Sequence, residues 1–262
     1  GRGVHRRAAP VRLGRWSPVA LLALTVVVAV SLVLPVTLVG RWLLAHLAAP
    51  VDELGIRPSL LVTTGSTISL ALAAAAVTTV LALPGAWLLS RRRTAWTLVL
   101  ERVTYIASSL PGVVIALALI TVSVRYVPGI YQSPLLLVLC YSILFIPRAM
   151  VSLRSGLAAA PPELSDAARS LGCSPLGAFR RVVLPLILPS ALTGAALVAI
   201  AAATELTATL LLSPTGTSTL ATAFWAASDE FDYAGAAPFA AMMILLSAPL
   251  TVLMLRQSGI TE

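Results

Sequence analysis

Lysine is absent from all 262 residues, so the 18 basic side chains are all arginine. A phosphate-binding loop of the form G-x-x-x-x-G-K-[ST] needs its lysine, and no such loop exists here. Schiff-base catalysis is excluded for the same reason. Histidine is almost as scarce. His5 and His46 lie in different loops and cannot make an H-E-x-x-H zinc site. The two cysteines, Cys140 and Cys173, form no CxxC pair and read as reduced packing or surface residues. Charge itself is in short supply. Only 11% of the chain is charged, against 58% hydrophobic, and the mean hydropathy is +0.96. A soluble domain of this length needs far more charge to cover its surface. The composition therefore predicts an all-α polytopic membrane protein.

What is present is a series of long apolar runs. A spanning helix needs about 20 apolar residues. Runs of that kind cover about residues 18–38, 66–89, 103–124, 134–153, 189–212 and 236–255, so about six transmembrane helices are expected. Pro84, Pro111 and Pro249 fall inside them, and a membrane bundle can satisfy the carbonyls that proline frees. The arginines set the expected orientation, because cytoplasmic loops carry the positive excess. With both termini inside, only Arg41, Arg57 and Arg125 lie outside, where Asp52, Glu53, Asp229, Glu230 and Asp232 also collect. Arg148 and Arg154 count among the inside residues in that scheme. Residues 1–17, which include "GRGVHRRAAPVRLGR", read as a basic cytoplasmic tail or linker, not a cleavable signal. Residues 18–262 are then the membrane domain. The runs at 66–89 and 189–203 are rich in Ala, Ser, Thr and Gly, which suits close helix packing or a path lined by small side chains.

The loop between the fourth and fifth runs, residues 155–188, is polar and patterned. "PPELSDAARSLG" opens on two prolines, carries Glu163 and Asp166 near its front and ends at Gly172. That punctuation predicts a short helix. Leu164, Ala167, Ala168 and Leu171 share one face of it. Ser174-Pro175 then supplies an N-cap and a first-turn proline for a second short helix, with Leu176, Phe179, Val182 and Val183 on its apolar face. Pro185 is expected to limit that helix, because Leu184 before it is pushed out of helical geometry. Two destinations suit the apolar face of the first helix: the lipid interface or a groove on a soluble partner.

This loop closely resembles the "EAA" loop of importer-type ABC-transporter permease subunits. In that pattern E-A-A is followed by three residues, G, nine residues, a β-branched residue, one residue and L-P. Asp166-Ala167-Ala168, Gly172, Val182 and Leu184-Pro185 meet every spacing, with Asp in place of the usual Glu. The resemblance implies a separate ATP-hydrolysing subunit, present as a dimer, into which the first short helix docks. On that carry-over Glu163, Leu164, Asp166, Ala167, Ala168, Leu171 and Gly172 form the coupling contact, and Leu184 and Pro185 lead into the fifth span. "ATELTATLLLSPTGTSTLATAFW" and "YAGAAPFAAMMILLSAPL" are similar to stretches of ferric-iron-type permeases, which often join two six-helix halves in one chain. The single EAA loop and the basic linker match the C-terminal half of such a pair. The resemblance implies a permease in the bacterial inner membrane that has no cofactor, metal or catalytic residue of its own. Its expected partners are the ATPase, an external solute-binding protein, a second half or second copy, and lipid, but not nucleic acid. Permeases for thiamine, polyamines, sulfate or molybdate share the pattern.

Glu205 is the one acid well inside an expected span. Intramembrane carboxylates are costly and mark functional sites. It either faces the transport path or a gate, or is a structural acid bonded to a nearby threonine or to backbone. A proton-coupled secondary transporter would use it as a relay. An intramembrane enzyme would need a nucleophile-base or metal pair in the bilayer, and the spans offer none.

Overall fold

The computed structural model describes residues 14–49, 59–91 and 94–257. Of the expected tail, residues 1–17, the first thirteen lie outside them. Among the described residues the chain is helical with no strand. Ten helices follow in order: α1 Ser17–Ala48, α2 Leu60–Arg91, α3 Ala95–Ser109, α4 Gly112–Tyr126, α5 Pro134–Ala158, α6 Pro162–Ser170, α7 Pro175–Ala203, α8 Thr207–Leu212, α9 Leu220–Asp229 and α10 Tyr233–Gln257.

The helices α2, α5 and α7 pack on one another and supply most of the core. Small residues let them approach. A Cβ at Gly156 would lie 2.7 Å from Ser190 Cβ, and one at Gly194 would lie 2.9 Å from Ser152 Cβ, so α5 and α7 meet at near backbone contact. Ala74, Ala82 and Ala86 of α2 are fully or almost fully buried. Two threonines on α2 find partners on other helices. Thr78 Oγ1 donates to Ser142 Oγ at 3.1 Å, and Thr67 Oγ1 accepts the Leu220 N–H at 2.8 Å. These are close-packed, hydrogen-bonded contacts of the kind that replace the hydrophobic effect between helices in lipid. The outer faces remain apolar and exposed, as lipid requires. No residue of α1 is buried, and α1 touches the bundle through α10, where Trp42 stacks on Tyr233 at 4.9 Å.

Four helices are long and apolar enough to span a bilayer: α1, α2, α5 and α7. The third expected span is instead a bent pair. α3 and α4 meet at 104° across Leu110-Pro111. The pair counts as a fifth span if the two helices cross together. The last, α10, has a shorter apolar stretch over Tyr233–Pro249. The expected fifth span, 189–212, is corrected at both ends. Its helix starts earlier, at Pro175, and stops at Ala203, and a break at Thr204–Leu206 separates it from α8.

The expectation that Pro185 ends a helix also fails. Leu184 is helical at φ −56°, ψ −47°, and α7 runs straight through. The cause is a π-helical turn at Phe179–Val183, where the Leu184 N–H donates to the Phe179 carbonyl. A proline ring clashes with the carbonyl four residues back and cannot donate to it, and a wider turn relieves both problems. The same device recurs in α1. There a π turn at Ala29–Val33 precedes Leu34-Pro35.

Candidate functional site

The polar loop folds largely as its punctuation predicts. α6 starts at Pro162 with Glu163 in its first turn and ends with Arg169 in its last, each charge complementing the helix dipole. Asp166 Oδ1 faces Arg169 Nη1 at 3.9 Å, an exposed i,i+3 pair of little energetic weight. The exit is a Schellman motif: Gly172 N–H donates to the Arg169 carbonyl and Cys173 N–H to the Ala168 carbonyl. Gly172 sits at φ +88°, a conformation that needs glycine. Ser174 then accepts the Gly177 N–H at 3.1 Å and caps α7.

The side chains of α6 are left on the outside. None of its residues is buried. Leu164 is exposed and Leu171 is 87% exposed, while Ala167 and Ala168 lie between them on the same face. The helix packs against the first turns of α7 and Ala168 is half-buried, but both leucines stay exposed. The loop is instead anchored by the next helix: Ala178 and Val183 are buried, and Phe179 packs edge-on against Trp87 of α2 at 5.3 Å. Leu184 and Pro185 begin the regular α-helical part of α7, after its π turn. Of the residues expected to couple, 163–172 therefore form one exposed helix and its glycine exit, and Leu184 and Pro185 lie in α7, which continues into the core.

Glu205 is placed elsewhere, in the break between α7 and α8 and not inside a helix. Its Oε1 accepts from Thr207 Oγ1 at 2.7 Å and from the Ala208 N–H at 3.0 Å, so it closes the open end of α8. Its carbonyl accepts from Thr209 Oγ1 at 2.6 Å, and that hydroxyl is 2.6 Å from Tyr141 Oη on α5. The start of α4 reaches the same point: a Cβ at Gly112 would lie 3.1 Å from Glu205 Oε1 and 2.9 Å from Thr207 Oγ1. The two broken spans thus meet at one carboxylate. Gly112, Tyr141, Thr207 and Thr209 were not singled out from the sequence. The acid followed by Thr207 at the head of an apolar run was the available signal for a cap. Among the described residues no cluster of three metal-ligating side chains occurs.

Residues 78–260, most of the chain and all of α6, match the family described as binding-protein-dependent transport system inner membrane component. The chain belongs to that family. As an inner membrane component with several membrane-length helices, it is a multi-pass membrane protein. It is similar to the Fe(3+)-transport system permease protein FbpB 2 of Haemophilus influenzae, 36% identical over 173 residues, which are 66% of this chain and 34% of that protein. It is also similar to a Salmonella typhimurium protein named for 2-aminoethylphosphonate transport system permease, PhnV, 30% identical over 164 residues, 62% of this chain and 60% of that one. The chain therefore spans about a third of the first relative and three fifths of the second. The inward-facing MetNI methionine ABC transporter has a chain of the same fold. The TM-score is 0.61 at 16% identity, covering 78% of this chain and 96% of that one.

Proposed function

We propose that this inner membrane component is a permease half of an ATP-driven importer. It forms part of the translocation path, and a separate ATPase dimer drives it through α6. The observation that carries the reading is the combination in the 155–188 loop: a helix whose apolar face keeps its two leucines exposed, a glycine exit, and a continuous helix α7 leading into the core. A lever of that form moves when its exposed end is moved. Glu163, Leu164, Asp166, Ala167, Ala168, Leu171 and Gly172 form the contact with the ATPase. Leu184 and Pro185 carry its motion into the core, where the π turn removes the weak point that proline would create. An external binding protein delivers solute, and a second half or second copy completes the path. The tail at 1–17 and the C-terminus lie in the cytoplasm, and 18–262 is the membrane domain.

Ferric iron is the proposed solute, supported by the name of the Haemophilus relative. The Salmonella relative favours an organophosphonate as the second reading. Thiamine, polyamines, sulfate and molybdate complete the substrate alternatives, and proton coupling through Glu205 is the mechanistic one. Proteoliposomes holding the assembled complex decide between the mechanisms. Uptake of radiolabelled ferric iron that needs ATP and the binding protein, and that survives a protonophore, is expected. Uptake that proceeds without the ATPase and collapses with the proton gradient would overturn the proposal.

A further inference from the structure

The sequence places Arg148 beside the cytoplasmic arginines, but α5 continues to Ala158 and leaves it near the middle of the helix. Ile146 is the central residue of α5, and Arg148 lies about 3 Å beyond it along the axis. The helix is about 37 Å long, against a hydrocarbon core of about 30 Å. Arg154, about 9 Å further on, is already paired with Glu101 of α3. Arg148 has no such partner: no carboxylate among the described residues is within ion-pair distance of it. It lies over the face of Phe145, 5.0 Å from the ring centroid.

Arg148 is exposed and is one of the residues lining an open cavity of about 530 Å³ on the flank of α5. Tyr105 of α3 and Leu197 of α7 form the sides, with Phe145, Val151 and Ser152 of α5 along the floor. That volume suits a small organic solute. Arginine is charged at every accessible pH, and its planar fork matches carboxylate and phosphate oxygens. An unpaired guanidinium midway along a spanning helix is costly if its cavity opens onto lipid tails, and such residues instead face water or protein.

We infer that Arg148 is an anion-binding residue on the transport path, with the Tyr105 and Ser152 hydroxyls beside it in the same cavity. The ligand is a small solute presenting anionic oxygens, such as a carboxylate chelate or a phosphonate. The inference rests on the permease reading for the water that fills the cavity, and it narrows the substrate. A bare ferric cation would be repelled at this station, whereas iron held in an anionic chelate would be attracted. A phospholipid headgroup offers the same chemistry, and the test separates the two sources.

The test is cysteine protection in the full-length permease, assembled with its ATPase and reconstituted. The native thiols are removed by Cys140→Ala and Cys173→Ser, and Val151→Cys supplies a reporter beside Arg148. Labelling by a water-soluble maleimide is followed with citrate, ferric citrate, 2-aminoethylphosphonate or inorganic phosphate. The vesicles are either phosphatidylcholine alone or contain phosphatidylglycerol. A soluble anion at ten times its dissociation constant should slow labelling roughly tenfold. That protection should vanish in Arg148→Gln and persist in Arg148→Lys. Slowing produced by phosphatidylglycerol alone, and lost in Arg148→Gln, keeps the anion site but assigns it to lipid and removes it from the path. A reporter that never labels in phosphatidylcholine vesicles, protection by no anion, or protection that survives Arg148→Gln overturns the inference. The readout needs neither ATP nor net uptake. A permease that imports normally without protection refutes the anion site alone, and one that protects without ATP-driven uptake refutes the permease reading alone.

Discussion

Replacing Glu205 separates its two possible jobs. Its Oε1 accepts two hydrogen bonds at the open end of α8, from Thr207 Oγ1 and the Ala208 N–H. Bonds to a charged group contribute about 1.5–3 kcal/mol each. The site is partly exposed, so the lower end applies, and Glu205→Ala should cost about 3 kcal/mol. Glu205→Gln keeps a carbonyl oxygen at the same reach and loses only the charge at the helix start, worth about 1 kcal/mol. For a cooperative transition in a chain of this size, 1 kcal/mol moves Tm by about 2–4 °C. Unfolding of the detergent-solubilised permease, followed by tryptophan fluorescence, should therefore show a drop of about 6–12 °C for Glu205→Ala and about 2–4 °C for Glu205→Gln. Uptake then distinguishes a cap from a gate. If the carboxylate holds the two broken spans in a gate, Glu205→Gln should impair transport far beyond its small stability loss. Normal uptake and assembly in Glu205→Gln would refute the gate. A Tm for Glu205→Ala within 2 °C of the wild type would refute the capping argument itself.

Other substitutions test other parts of the account. Ala168→Asp places a charge in the apolar face of α6, and should abolish ATP-driven uptake or release the ATPase while leaving the solubilised fold intact by circular dichroism. Gly172→Val forces a β-branched residue to φ +88°, costs about 1–2 kcal/mol locally, and should uncouple ATP hydrolysis from uptake in proteoliposomes. Gly194→Val drives its Cβ to 2.9 Å from Ser152 Cβ, and should lower thermal stability by about 1–3 kcal/mol through overpacking. Arg154→Leu leaves Glu101 half-buried and unpaired, and should destabilise the α3–α5 contact more than the double change Arg154→Leu with Glu101→Leu, read as Tm in a double-mutant cycle.

Much of the fold was legible because membrane helices announce themselves by apolar length and caps announce themselves by residue type. Pro162, Gly172, Ser174 and Pro175 did in the structure what their chemistry requires. The breaks were less legible. The run at 189–212 dips at Thr204-Glu205, but one acid in an apolar run does not by itself separate α7 from α8, and the break at 204–206 depends on hydrogen bonds that Glu205 makes only in three dimensions. Leu184-Pro185 misled in the opposite sense, because a π turn, which has no simple sequence signal, absorbs the proline. The expected span 134–153 puts Pro147-Arg148 near its cytoplasmic end, but the helix runs on to Ala158. The helix keeps that proline fully inside. The apolar face of α6 was visible as a periodicity, but that its leucines stay exposed could be seen only once the core was assembled.

The central claim is that α6 is the contact with a separate ATPase, and crosslinking from position 171 tests it most directly. Leu171 is 87% exposed at the end of the apolar face, so a photoreactive side chain there is expected to leave the fold undisturbed. On irradiation of the assembled complex in membranes, the account predicts an adduct between the permease and the ATPase subunit that is lost in Ala168→Asp. Adducts to lipid alone, from a complex that still imports solute on ATP, would contradict it.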